Sequence, residues 1–223
     1  MFQNDFVQLS QSAWFNIQCN YWVKHGCNST AEPKSTPGSA IVDYARPDDE
    51  VNNVADGDLT WRDHLTSYNA KPGGNPLELM PAWQLYGNRT YKKLLDRFGQ
   101  DKLYVLSAGW GLLAADFLAP MYDITFSASA EGYKRRRSRD RYSDFSTLPA
   151  ETTEPVVFFG GKDYVSLFCE LTKDIKSVRY IFYNSASPPD APGCELVRFN
   201  TRTRTNWHYQ CAQAFIEEKV SVG

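Results

Sequence analysis

Asp123 is the carboxylate in this sequence best suited to stabilising a cation. It stands in Tyr122-Asp123-Ile124-Thr125, flanked by apolar and aromatic residues. In N-glycoside cleavage the sugar becomes cationic as the base departs. A carboxylate beside it either stabilises the oxocarbenium ion or deprotonates the attacking water. The structural alternative is a carboxylate that caps a turn or pairs with an arginine. Asp116, between Ala115 and Phe117, reads as a loop residue. His208 is the second catalytic candidate, as a general acid or a donor to the departing base. Its neighbour Trp207 equally fits a packed, hydrogen-bonded histidine.

Two glycine turns could hold the rest of a substrate. Ser107-Ala108-Gly109-Trp110-Gly111 follows the apolar run Leu103–Leu106. Small residues leave a buried strand without blocking its end, and glycines expose backbone N–H groups that a Cβ would shield. Ser107, Gly109, Trp110 and Gly111 are therefore substrate-binding candidates, with Trp110 or Trp207 as a surface on which a base stacks. Gly160-Gly161-Lys162 follows Val156–Phe159 and opens a helix, an arrangement suited to an oxyanion. It lacks the spacing of a phosphate-binding P-loop, and a tight strand-to-helix turn explains it equally well.

Charge is concentrated in two places. Thr201–Tyr209 alternates Arg202 and Arg204 on an extended segment, with threonine hydroxyls beside them, so both arginines could face phosphates. Thr205 or Asn206 would cap the helix that follows. Lys134, Arg135, Arg136, Arg137, Arg139 and Arg141 form the one strong basic run, flanked by Tyr133 and Tyr142. Such a run is either a solvated face or a contact to a phosphate backbone. As a surface contact, it predicts that replacing Arg135, Arg136 and Arg137 with alanine weakens DNA binding with little effect on stability.

These residues need elements to position them. Leu103–Leu106, Val156–Phe159, Val178–Tyr183 and Leu196–Phe199 read as strands, the first three in one mainly parallel sheet. Thr60 is an N-cap for a helix over Trp61–Tyr68, with Asp63 completing a capping box. Apolar spacing over Glu78–Phe98 predicts two helices divided at Gly87-Asn88, with Gly99 ending the second. Further helices are expected over Asp163–Lys173 and Asn206–Val220. Trp14–Cys19 and Ile41–Tyr44 could be short strands among loop-rich surroundings. The alternation of strand and helix points to one α/β domain over 1–223: an irregular segment, 1–76, that wraps the sheet, and a core over 77–223.

The order of strand, Ser-Ala-Gly-aromatic-Gly-Leu-Leu, short acidic link, Pro and Tyr-Asp resembles the YaaA-like superfamily, over roughly Pro81 to Phe126. Trp110 stands where another aromatic is usual, and a first strand with a Cys-Ser-type ending is not evident. The resemblance implies a Rossmann-like three-layer fold, with a mainly parallel sheet and helices on both faces. It also implies a setting of DNA damage, modified bases or phage defence.

Bulk properties narrow the partners. With 42% hydrophobic and 22% charged residues, the chain has ordinary globular usage. A net charge of −2 means that nucleic acid, DNA before RNA, would be gripped by a local patch. Aromatics at 14% serve either as core or as surfaces that stack on bases. No apolar run approaches the ~20 residues of a membrane span, and Met1–Phe15 lacks a signal peptide's apolar core, so a cytoplasmic protein is expected. Five cysteines at irregular spacings fit reduced thiols. Cys19, His25 and Cys27 lack a second pair at zinc-ligand spacing, so neither metal nor cofactor is expected. The expectation is an N-glycosidic bond hydrolase, resembling a DNA glycosylase, that acts on a modified base. The alternatives are a non-catalytic protein that binds modified or damaged DNA, and a soluble nucleotide or nucleoside hydrolase.

Overall fold

Among the described residues, seven strands form one sheet, and its central strand comes from residues 14–18. The computed structural model describes residues 45–50 and 59–223, together with the backbone of one earlier strand, β1 (Trp14–Gln18). β3 (Leu103–Ser107) pairs in parallel with one side of β1, and β7 (Val156–Phe159) with the other. Beyond β7 lie β8 (Arg179–Tyr183) and β9 (Glu195–Arg198), both parallel. Beyond β3, β4 (Gly111–Ala114) runs antiparallel to it, and β6 (Phe145–Ser146) pairs in parallel with β4. The molecule is thus mixed α/β with a mainly parallel sheet, and the three expected strands share it. The segment 1–76 contributes the central strand as well as a helix. The brief strand expected over Ile41–Tyr44 and the residues Cys19, His25 and Cys27 lie outside the described residues.

Among the described residues, four α-helices pack on the two faces of the sheet. In α1 (Trp61–Ala70) the Thr60 side chain accepts from Asp63 N at 3.2 Å, and the Asp63 carboxylate accepts from Thr60 N. That is the capping box expected from the sequence. α2 (Arg89–Phe98) starts at Asn88, whose side chain accepts from Thr90 N at 2.9 Å, and stops at Gly99 with φ +91°. α3 (Lys162–Leu171) follows β7, and α4 (Trp207–Ile216) follows β9.

The sheet's alternation divides the core in two. Leu103, Val105, Val157, Phe159 and Phe182 pack with Leu65 of α1, Tyr91 and Leu94 of α2 and Phe215 of α4. Tyr104, Leu106, Phe158 and Ile181 pack with Tyr164, Val165, Leu167 and Phe168 of α3. These strand residues are almost all fully buried, which explains why they read as continuous apolar runs.

One expected helix is absent. Glu78–Tyr86 holds a two-residue strand, β2 (Met80–Pro81), paired antiparallel with β5 (Leu118–Ala119), and then turns. Asn75 prevents helical pairing here: its side chain accepts from Leu79 N and donates to Leu79 O. Pro81 has no N–H to continue a helix. Among the described residues, no helix is long and apolar enough to cross a membrane.

Candidate functional site

In open α/β sheets, ligands sit outside the carboxyl ends of the strands, where successive connections leave in opposite directions. Here that point falls between β1 and β7. From β1 the chain passes to β3 on one side; β7, on the other, leads outward to β8 and β9. Gly160 and Gly161 lie at this point. Gly160 is buried; Gly161, half-buried, is the N-cap of α3 and has no side chain with which to cap the first turn, where Tyr164 N donates to Gly161 O at 3.1 Å. Lys162 and Asp163 are exposed beside them. The Ser107–Gly111 turn is at the same edge, at the end of β3.

The segment carrying Asp123 bridges the two turns. Tyr122 and Ile124 cover Gly109, where a Cβ would come 2.8 Å from the Tyr122 ring and 3.4 Å from Ile124 Cβ. At the other end, the Phe126 ring meets Tyr164, in the first turn of α3, edge-on at 4.7 Å. Asp123 sits between these anchors and is exposed. Its Oδ2 accepts from Lys134 Nζ at 2.7 Å. The carboxylate and the first cation of the basic run therefore form one pair, which Glu131 extends at 3.7 Å.

The remaining turn residues hold the fold. Ser107 is fully buried, and its Oγ accepts from Gly109 N at 3.1 Å and Trp110 N at 2.7 Å. Trp110 is fully buried against Tyr122, so it is core and offers no stacking surface. Gly111 has φ +87°, and a Cβ there would lie 2.5 Å from Phe145 O; the position requires glycine because β6 pairs directly beside it and the backbone is left-handed. The Ser107–Gly111 turn is a scaffold, and its contribution to a site is the surface formed by Tyr122 and Asp123.

The basic run divides by residue. Arg136 is 3% exposed and forms a two-pronged pair with Asp144, at 2.7 and 2.6 Å. It also donates to Ala108 O at 3.0 Å and lies over the Tyr142 ring at 4.1 Å. It is not placed to meet a phosphate. Burial raises the Asp144 carboxyl, and Arg136 opposes that shift. Arg135 is half-buried, where Thr125 and Arg135 form an isolated parallel bridge. Arg137, Arg139 and Arg141 remain exposed. Arg137 N donates to Asp140, and Arg141 Nη1 donates to Ser138 O, so local bonds shape the loop that presents them.

The structure does not bring His208 to this site as a working acid. It is 1% exposed in α4, its ring packed 4.1 Å from Tyr209, and among the described residues its Nε2 has no partner. Burial lowers it from 6.5 to about 4. Trp207 is likewise buried, stacked on Phe199. Asn206 precedes α4 with φ +60° and gives no side-chain cap. Arg202, Arg204 and Asn206 are exposed on the loop after β9, which Asn184 ties to the end of β8 through Thr203 O at 3.1 Å.

A neutral buried histidine has a measurable consequence. The unfolded chain takes up a proton near pH 6.5, whereas the folded chain does so only near 4. The stability that His208 contributes is fully present above pH 6.5 and is lost as pH falls toward 4. The loss amounts to about 3 kcal/mol. Urea denaturation at pH 7 and pH 4.5 should show the loss in the wild type and a smaller one in His208→Leu. Equal losses would mean that His208 is protonated in the fold.

Among the described residues, no group of three or more His, Cys, Asp or Glu side chains could hold a metal ion. Comparisons with protein families, curated proteins and solved structures find no significant match. The sequence reading missed Asp144, Tyr122 and Tyr164. An acid eight residues after Arg136 was the only signal for the ion pair. Phe126 and Tyr164 meet only through the fold.

Proposed function

We propose that this protein acts on a nucleic-acid base or nucleotide at the crevice beyond β1, β3 and β7. One observation carries the reading. The Asp123–Lys134 pair, the Gly160–Gly161 turn and the exposed arginines of the basic run belong to adjoining segments at one sheet edge. The α3 N-terminus and Lys162 suit a phosphate, and Arg137, Arg139 and Arg141 suit a neighbouring stretch of backbone. Arg204 and Asn206 extend the polar rim from the loop after β9. The chemistry we assign is N-glycosidic hydrolysis, with Asp123 beside the sugar cation and a duplex target flipped into the crevice. The Rossmann-like three-layer arrangement and the YaaA-like resemblance of residues 81–126 belong to the same reading, as does action on a modified base.

A binding protein without turnover is the second reading. It is favoured by the burial of His208, which removes that residue as an acid partner for Asp123.

Two measurements test the proposal. Wild-type protein incubated with DNA carrying modified bases should release free base and leave alkali-sensitive sites. Binding without release selects the second reading. Affinity should also fall steeply with salt, and replacing Arg137, Arg139 and Arg141 together with alanine should flatten the logarithmic slope by about 2.7. An unchanged slope removes these arginines from the interface. Tight binding of a mononucleotide without salt-dependent polymer binding would instead support a soluble nucleotide hydrolase.

A further inference from the structure

Cys169 and Cys194 are 25 residues apart in sequence, yet their sulfurs lie 3.8 Å apart. Cys169 is buried in the last turns of α3, where it belongs to the apolar core under the sheet. Cys194 ends the 184–194 connection between β8 and β9, and is partly exposed. The pair thus brings α3 and the connection between β8 and β9 together at their sulfurs. Cys194 is the more exposed of the two residues, and Cys169 is buried.

The surroundings favour a thiolate. Arg179 is buried, and its partners are neutral: Nη1 donates to Thr172 Oγ1 at 3.1 Å and Nη2 to Gly193 O at 2.9 Å. Among the described residues it forms no ion pair. Gly193, with φ +71°, leaves the space in which Nη2 lies. A buried guanidinium without a carboxylate is costly unless negative charge develops nearby. The adjoining residue is Cys194. Its thiol is held below the usual range, first by the hydrogen bond with Cys169 and then by the Arg179 charge. The same bond pushes Cys169 upward, aided by burial.

We propose that Cys169 and Cys194 are a peroxide-responsive thiol pair, with Cys194 as the attacking residue and Cys169 as the resolving one. The Cys194 thiolate attacks one oxygen of hydrogen peroxide; an S–O bond forms, the O–O bond breaks, and hydroxide leaves, taking up the proton Cys194 had released. The product is a sulfenic acid. The Cys169 sulfur then attacks the Cys194 sulfur; the S–S bond forms, the S–O bond breaks, and the departing hydroxide leaves with the Cys169 proton as water. The two thiols lose two electrons, and one peroxide becomes two waters. The disulfide staples the 184–194 connection to α3, the helix whose first turn lies at the crevice.

The test needs only the full chain, reduced and then exposed to hydrogen peroxide. The remaining thiols are alkylated, and the digest is read by tandem mass spectrometry. The expected result is a Cys169–Cys194 linked peptide as the main product, reversed by a thiol reductant. Cys169→Ser should stop at a sulfenic acid on Cys194 that dimedone captures, and Cys194→Ser should form no link to Cys169. The proposal is overturned if both cysteines are recovered alkylated, or if either is linked instead to Cys19, Cys27 or Cys211. Oxidation of Cys194 to sulfinic acid while Cys169 stays free overturns it equally. The wild-type map does not depend on either variant folding.

Discussion

Arg136→Ala should destabilise the fold by about 3–5 kcal/mol, the range observed when one partner of a buried ion pair is removed. The substitution leaves the Asp144 carboxylate buried without its counter-charge, and frees Ala108 O from its 3.0 Å bond. It also removes the guanidinium stacked over Tyr142. The loss should depend on pH in a particular direction. Burial already raises the Asp144 carboxyl, and deleting Arg136 removes the opposing influence. In the variant, folded Asp144 keeps its proton at pH values where the unfolded chain has released it. The variant's deficit is therefore largest at neutral pH and shrinks as pH falls. Denaturant melts at pH 7 and pH 5 measure both effects. A small, pH-independent deficit would place Arg136 on the surface.

That result would also separate two kinds of arginine that look alike in sequence. Four consecutive cations, Lys134 to Arg137, contain no pattern showing that the third turns inward. The inward turn follows from the Thr125–Arg135 bridge, which fixes alternation locally: Arg136 N donates to Thr125 O, and Thr125 N donates to Lys134 O. The expectation that alanine at Arg135, Arg136 and Arg137 would leave stability intact fails on this contact. Trp110 misled in the same way. An aromatic between two glycines at a strand end reads as exposed, but the chain reverses there into β4 and carries the ring into the core.

What was legible follows from burial. β3, β7 and β8 are flanked by strands on both sides and covered on both faces, so nearly every position is apolar and a short continuous apolar run bounded by turn residues identifies them. α1 was readable from its cap, because Thr60 and Asp63 act within four residues. Glu78–Tyr86 was not readable, because its apolar residues fall at helical intervals while Asn75 and Pro81 decide the backbone. The place of Asp123 was partly legible. Its isolation among apolar neighbours marked it out, but its pairing with Lys134 arises from an excursion of eleven residues that returns to the same edge.

On the proposed reading, Asp123→Asn should lower base release by on the order of 10³-fold while leaving fold and binding intact. Stability should barely change, because the Asp123–Lys134 pair is exposed, at 58% for the carboxylate, and exposed pairs contribute little. Asparagine keeps the size and one carbonyl acceptor but removes the charge. The experiment therefore isolates what the charge does to a cationic transition state, for which a few kcal/mol is ordinary. Lys134 provides the internal control. In the resting structure its ammonium neutralises the carboxylate, so a departing base must draw Lys134 away before Asp123 can face the sugar cation. Lys134→Gln should therefore preserve or raise the rate of the chemical step in single-turnover assays, although it weakens backbone affinity. A fall of equal size in both variants would mean that the pair is needed only to hold the Tyr122–Phe126 segment in place. Base release by Asp123→Asn at the wild-type rate would remove the carboxylate from the mechanism altogether.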